Sequence, residues 1–377
     1  MIAMQPMNQE GADEARDADG YDADEENRLG MMYSSGDGVP QDWHQAKHWF
    51  RRAADKGHAN AQFNLGVIYG NGRRNQDYAH ALLWYRKAAA QGHAKAQFNL
   101  GLMYGNGQGV PQDHAQARAW YSGAAEAGHA GAQNNLGLIY VNGLGVEADP
   151  AAALHWFSLA AAQNDAAAQN NLGMMHAAGK GVPQDHGEAA HWYRKAAEQG
   201  YALAQCNLAA LYENGQGVAR DLNRALDWYR RAAEGGSTRA QFRIAQIHDQ
   251  GDADGGIARD AAQAIGWYCR AAEQGHAEAQ FQLGLRYDSG RDVRRDAAQA
   301  FSWYRRAAEG GHLRAQFNVG VMHAQGDGTA LDLVQAWIWL ERAASRDLPA
   351  AMRARREAES RMTPAQLSEA RRLAESS

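Results

Sequence analysis

The sequence predicts an all-α fold, a right-handed superhelical α-solenoid of about nine helix-turn-helix repeats, on three observations. Tryptophan recurs about every 36 residues, at Trp49, Trp84, Trp120, Trp156, Trp192, Trp228, Trp267, Trp303 and Trp339. Aspartate keeps the same beat at Asp42, Asp77, Asp113, Asp149, Asp185, Asp221, Asp260, Asp296 and Asp332. Glycine returns inside an apolar helical pattern at Gly30, Gly66, Gly101, Gly137, Gly173, Gly284 and Gly320. Ordering one such unit costs about 1–2 kcal/mol per residue in backbone entropy alone, more than a single hairpin recovers, so the units must stack.

Residues 1–21 read as an acidic disordered tail without periodicity, and residues 1–26 carry a net charge of −8. Residues 22–348 read as the nine repeats forming one solenoid, and 349–377 as a C-terminal capping helix or helices. The segment from Ala94 to His129 shows one unit. Its first helix places Ala96, Leu100, Met103 and Tyr104 on one face. Gly101 in the middle of that helix costs about 1 kcal/mol relative to Ala, and close approach of the partner helix is the expected reason for it. The helix stops at Asn106-Gly107 and the next begins at Asp113, an N-cap that several repeats follow with Gln or Glu at the capping-box spacing. The second helix sets Ala117, Trp120, Tyr121, Ala124 and Ala125 in a stripe expected to be core. The turns of the second repeat (Asn71 to Asp77) and the seventh (Gly251 to Asp260) depart from the common length and are expected to bulge.

Composition narrows the function classes. Beyond the tail the chain is +3, too mild a balance for nucleic acid. There is no apolar run long enough for a membrane span and no basic-then-apolar leader, so a cytoplasmic protein is expected. Cys206 and Cys269 stand in different repeats and read as reduced small hydrophobes. The nucleophile, phosphate-loop and zinc-hydrolase motifs are missing from the sequence. His44 and His48 lack a third metal ligand, and Asp249, Asp252 and Asp254 do not fit a calcium-loop frame. Neither a catalytic residue, a metal nor a cofactor is expected.

The pattern Ala-x-Ala-Gln-x-x-Leu-Gly-x-x-Tyr, then Gly-x-Gly-Val, then Asp, then Ala-x-x-Trp-Tyr-x-x-Ala-Ala-x-x-Gly resembles the Sel-1-like repeat, a relative of the tetratricopeptide repeat. The ending from Ala336, with Thr363 expected to cap the last helix, Pro364 at its first position and Gln366 completing the box, is similar to the way bacterial members close their arrays. The resemblance implies a scaffold or adaptor for other proteins in signalling, cell-envelope processes or host interaction. Secreted members often carry a cysteine pair in each repeat, which this chain lacks.

A partner peptide or protein surface is expected in the concave groove lined by the first helices. One candidate column is Asn64, Asn99, Asn135, Asn171, Asn207 and Asn318, interrupted by Arg243 and Gln282. The other, one turn earlier, includes Lys95, Arg239 and Arg314. The amides suit the backbone of an extended peptide, and they equally suit bonds within the stack. The Gln column beginning Gln62, Gln97 and Gln133 reads as structural. Arg239, Arg243, Arg286 and Arg314 gather in the later repeats as a seat for an acidic group, the tail included. The alternatives are a dedicated antagonist, an immunity-type protein that neutralises a cognate bacterial toxin, and a hydrolase.

Overall fold

The computed structural model describes residues 20–71, 77–252 and 256–375. Among these there are twenty helices and no strand. The chain divides into two compact units, Met1–Gln184 and Asp185–Ser377. The first holds α1 (Ala23–Ser35), α2 (Trp43–Asp55), α3 (Ala59–Gly70), α4 (Tyr78–Ala90), α5 (Ala94–Asn106), α6 (His114–Glu126), α7 (Ala130–Asn142), α8 (Pro150–Ala162) and α9 (Ala166–Ala178). The second holds α10 (His186–Glu198), α11 (Ala202–Asn214), α12 (Leu222–Glu234), α13 (Thr238–Gln250), α14 (Ala261–Glu273), α15 (Ala277–Ser289), α16 (Ala297–Glu309), α17 (Leu313–Gln325), α18 (Leu333–Ala344), α19 (Pro349–Ser360) and α20 (Pro364–Glu375). Within each unit every helix packs on the next in sequence as far as α19, and α20 packs back on α18, which makes each unit a stack of helical hairpins.

Each second helix starts where its Asp stands. In the first unit Asp42, Asp77, Asp113 and Asp149 accept backbone N–H bonds from the opening turns of α2, α4, α6 and α8. In the second, Asp185, Asp221, Asp260, Asp296 and Asp332 do the same for α10, α12, α14, α16 and α18. Each satisfies donors that a helix leaves without an internal partner. The full capping box closes at Asp22 with Glu25, and again at Thr363, whose Oγ1 accepts from the Gln366 N–H at 3.3 Å while Gln366 Oε1 accepts from the Thr363 N–H at 2.9 Å. Seven of the nine first helices stop on left-handed glycines, as Gly107 does at φ 70°, while α3 stops at Asn71 with φ −103° and α13 at Gly251 with an extended ψ.

The mid-helix glycines make room for a ring. A methyl at Gly101 would lie 2.4 Å from the Tyr121 ring, and one at Gly284 would lie 2.4 Å from Tyr304. The close approach expected at this column is therefore made by a side chain of the second helix, an aromatic ring at Gly30, Gly66, Gly101, Gly137 and Gly284 and Leu340 at Gly320. That observation also corrects the expected stripe. Trp120 is only half-buried, as are Trp49, Trp156, Trp192, Trp228, Trp267 and Trp303, whereas Trp84 and Trp339 are buried. The residue after each Trp goes deeper: Phe50, Tyr85, Tyr121, Phe157, Tyr193, Tyr229, Tyr268, Tyr304 and Leu340 are all buried. Five of the half-buried Trp rings, Trp49, Trp192, Trp228, Trp267 and Trp303, instead lie under cations, with Arg231 4.5 Å above Trp228 and Arg306 4.8 Å above Trp303.

The Gln column is structural. Each Nε2 donates to the carbonyl eight residues back, from Gln62 to Ala54 at 3.1 Å through Gln133 to Ala125 at 3.1 Å and Gln280 to Ala272 at 2.9 Å. The accepting carbonyls belong to the last turn of the second helix, so the amide ties one hairpin to the next. Gln133→Leu removes this bond and the one that Gln133 Oε1 accepts from Gln163 Nε2 at 2.8 Å, while the Ala125 carbonyl keeps the Gly128 N–H; the loss is expected to cost about 1–3 kcal/mol, read as a shift in the urea midpoint, and an unshifted midpoint would reject the tie.

At the C-terminal end α19 and α20 cover the last repeat. Trp337 and Ile338 pack with Leu367, Ala370 and Leu373, and Ala343 and Ala344 pack with Ala351 and Met352. Cys206 is buried and Cys269 half-buried, both are free thiols, and burial pushes both thiols up from their ordinary range. Residues 72–76 of the second-repeat turn, 253–255 of the seventh-repeat turn and 1–19 of the expected tail lie outside the described residues, while Tyr21, counted in that tail, packs edge-on against Trp49 at 5.6 Å. No helix among the described residues is long and apolar enough to cross a membrane.

Candidate functional site

The first helices carry the candidate residues, and their interior face is taken up by the core. What remains is a strip between core and solvent, in which the Asn column is half-buried. In the first unit Asn99 on α5 bonds the Tyr85 hydroxyl and Asn135 on α7 bonds that of Tyr121, in each case from the preceding second helix. Burial pushes both phenols up to about 12, the Asn bonds opposing it. Asn64 Nδ2 lies 3.6 Å from the Met31 sulfur, and Asn171 donates to Asn134 Oδ1 at 2.9 Å. An amide has two donor hydrogens and an acceptor oxygen, so a single internal bond leaves capacity toward solvent.

Beside the amides runs an apolar column that follows each mid-helix glycine: Met31, Val67, Leu102, Leu138 and Met174. Met31 is 49% exposed and Met174 51%. Two clefts open here at equivalent places, two repeats apart. One, of about 180 Å³, is lined by Val67, Tyr85, Asn99 and Leu102 among others. The second, of about 220 Å³, is lined by Leu138, Phe157, Asn171 and Met174 among others. Lys95 is exposed on α5, one turn before Asn99.

In the second unit the same strip is ionic. Arg243 occupies the Asn position on α13 and pairs with Glu213, which also accepts from the Tyr229 hydroxyl at 3.0 Å. Arg286 is 4% exposed and pairs with Asp249 at 2.6 Å. Asn318 bonds the Tyr304 hydroxyl, which also donates to Asp288 at 3.3 Å. Arg239 and Arg314 are exposed, and Asn207 is half-buried. Of the four arginines expected to seat an acidic group, two are therefore engaged by acids of the preceding repeat. The second column is also tied in places, Asn60 to His93 at 3.0 Å and Glu278 to His312 at 2.9 Å.

His48 packs edge-on against Trp49, Asp249 and Asp252 are held by arginines, and Asp254 lies outside the described residues. Among the described residues no group of three or more His, Cys, Asp or Glu is placed to hold a metal ion. Sequence reasoning missed most of the apolar column and all of the acid partners. The signal was available in the residue after each glycine and in the register of Glu213, Asp249 and Asp288 one repeat ahead of Arg243, Arg286 and Asn318.

Comparison with known families finds the Sel1 repeat nine times, at residues 26–58, 59–93, 94–129, 130–165, 166–201, 202–237, 238–276, 277–312 and 313–348. No curated protein matches the chain. Among solved structures, a Sel1 repeat protein from Oxalobacter formigenes is 33% identical with a TM-score of 0.67, over 89% of this chain and 94% of that one. The protective antigen c5321 of uropathogenic Escherichia coli, displaying an SLR fold, is 33% identical with a TM-score of 0.55, over 98% of this chain and 94% of that one. The immunity protein Pa5087 of Pseudomonas aeruginosa is 22% identical with a TM-score of 0.39, over 57% of this chain and 81% of that one, a likeness too distant to carry a functional argument. Proteins built from this repeat are generally scaffolds for protein interaction. With nine matches in register across residues 26–348, the chain belongs to the Sel1 repeat family.

Proposed function

We propose that this protein is a non-enzymatic scaffold or adaptor whose first-helix strip holds a segment of a partner protein. The observation that supports it best is the pair of equivalent clefts in the first unit, Asn99 with Leu102 and Asn171 with Met174. Each offers an apolar recess for one side chain and an amide for the backbone beside it, the combination that peptide-recognition grooves use. Asn64 and Asn135 extend the amide row, and Lys95 adds a charge at its edge. In the second unit Asn207, Asn318, Arg239 and Arg314 are the corresponding contacts, with Arg243 held back by Glu213.

Cross-linking in native lysate followed by mass spectrometry identifies the partner, and variants of the strip then test the site. Leu102→Asp with Met174→Asp is expected to weaken binding at least tenfold while leaving the fold intact, because Met174 is 51% exposed and Leu102 is only partly buried at the edge of the core. Asn99→Ala, Asn135→Ala and Asn171→Ala together are expected to weaken binding with a loss of stability from the two tyrosine bonds and the Asn171–Asn134 bond, about 0.5–1.5 kcal/mol each. Unchanged affinity in both variants, in protein that remains folded, would refute the strip as the binding site.

A further inference from the structure

Five first helices, α3, α5, α7, α15 and α17, begin at a histidine. His58, His93, His129, His276 and His312 each accept the backbone N–H three residues on, through Nδ1 at 3.2 Å. Four of these rings lie on a phenylalanine of the preceding first helix: His93 on Phe63 at 4.8 Å, His129 on Phe98 at 4.5 Å, His276 on Phe242 at 4.5 Å and His312 on Phe281 at 4.3 Å. Where that Phe position holds Asn134, Asn170 or Cys206, the following cap position holds Asp165, Tyr201 or Ser237. Cap and preceding ring therefore change together at the seven inner junctions, whereas at the two ends Asn27 precedes His58 and Phe317 precedes Leu348.

An imidazole nitrogen accepts only while it carries no proton, so the cap requires the neutral ring with its hydrogen on Nε2. A proton on Nδ1 would replace the accepting lone pair with a donor aimed at the N–H groups of the helix start. The positive end of the helix dipole would then repel the imidazolium.

We propose that the histidine caps on α5, α7 and α15 are pH-sensitive fastenings of the repeat junctions, which mild acid loosens while α9 and α13, capped by Asp165 and Ser237, hold. His58 and His312 differ from these three, because a carboxylate stands at their Nε2, Asp24 at 3.0 Å and Glu278 at 2.9 Å. His93 has Asn60 at Nε2 and Lys95 two residues on. His129 lies between the charges of Lys95 on α5 and Asp165 at the next cap, and His276 faces Glu278 on its own helix. Burial pushes all three below the ordinary histidine range, Lys95 adding to it at His93 and His129, with Asp165 and Glu278 opposing at His129 and His276. A histidine lowered on folding contributes stability that is full above its unfolded value of about 6.5 and lost as pH falls through the folded value.

The test is amide hydrogen exchange on the full chain at pH 7.5 and pH 5.0, corrected for intrinsic rates. The opening turns of α5, α7 and α15 are expected to lose protection at pH 5.0 by about fivefold or more relative to those of α9 and α13. Equal change in all five helices, or none, would overturn the proposal. A His93→Ser, His129→Ser, His276→Ser variant, carrying the residue that caps α13, is expected to lose this difference whatever its midpoint at pH 7.5. Persistence of the difference in that variant would overturn it equally.

Discussion

Tyr304→Ala is expected to destabilise the second unit by about 3–5 kcal/mol, while Trp303→Ala beside it costs about 1–2 kcal/mol. Tyr304 is 0% exposed, fills the space left by Gly284, and donates its hydroxyl to Asp288. Its removal leaves a cavity against a glycine, where the opposite helix has no side chain to close it. Trp303 is half-buried beneath Arg306, so truncation removes a surface stack and part of an apolar contact. Urea titration followed by circular dichroism, with hydrogen exchange to locate the loss, compares the two. Repeat stacks can unfold in parts, so the comparison rests on the ordering of midpoints. Equal losses would mean that the conserved-looking Trp beat, and not the Tyr next to it, supports the hairpin.

Asp249→Ala is expected to cost about 3–5 kcal/mol because it leaves the Arg286 guanidinium buried without its counter-charge. Arg286 also lies over the Tyr268 ring at 4.5 Å, which holds it in place and gives it no route to solvent. Arg259 and Arg291 approach the same carboxylate at 3.7 Å, but both are exposed and remain hydrated when it is removed. The double change Asp249→Ala with Arg286→Met is expected to restore stability to within about 1 kcal/mol of the parent. The position of Arg286 is filled by Met103, Ile139, Met175, Leu211, Ile247 and Met322 in six of the other repeats, all buried and apolar, and by the half-buried Met32 and Ile68 in the first two. The single and double variants together measure the coupling, and a double variant as unstable as Asp249→Ala alone would contradict the burial argument.

The fold was legible because every repeat restates the same local rules. Asp113 caps, Gly107 ends a helix, Gly101 receives a ring, and Thr363 with Gln366 closes a box, each through contacts within a few residues or across one hairpin. The candidate strip was legible only in part. The amide column and its register could be counted, but whether Asn99 faces a partner or a tyrosine depends on how the preceding second helix lies against α5. Arg243 and Arg286 looked like a free basic surface because their acids, Glu213 and Asp249, stand 30 and 37 residues earlier. Charge counted along a chain does not say which charges meet.

By itself the sequence determined the helices, their ends, the repeat length and the family, since these follow from backbone geometry, capping and a periodicity that nine copies average into certainty. Only the tertiary structure decided which aromatic of each Trp-Tyr pair is core, which histidines are caps, and which arginines are already paired. These depend on side-chain packing between neighbouring hairpins. A small difference in the angle at which two helices meet selects one of two adjacent residues for burial, and periodicity at 3.6 residues per turn cannot resolve neighbours 100° apart on the same helix.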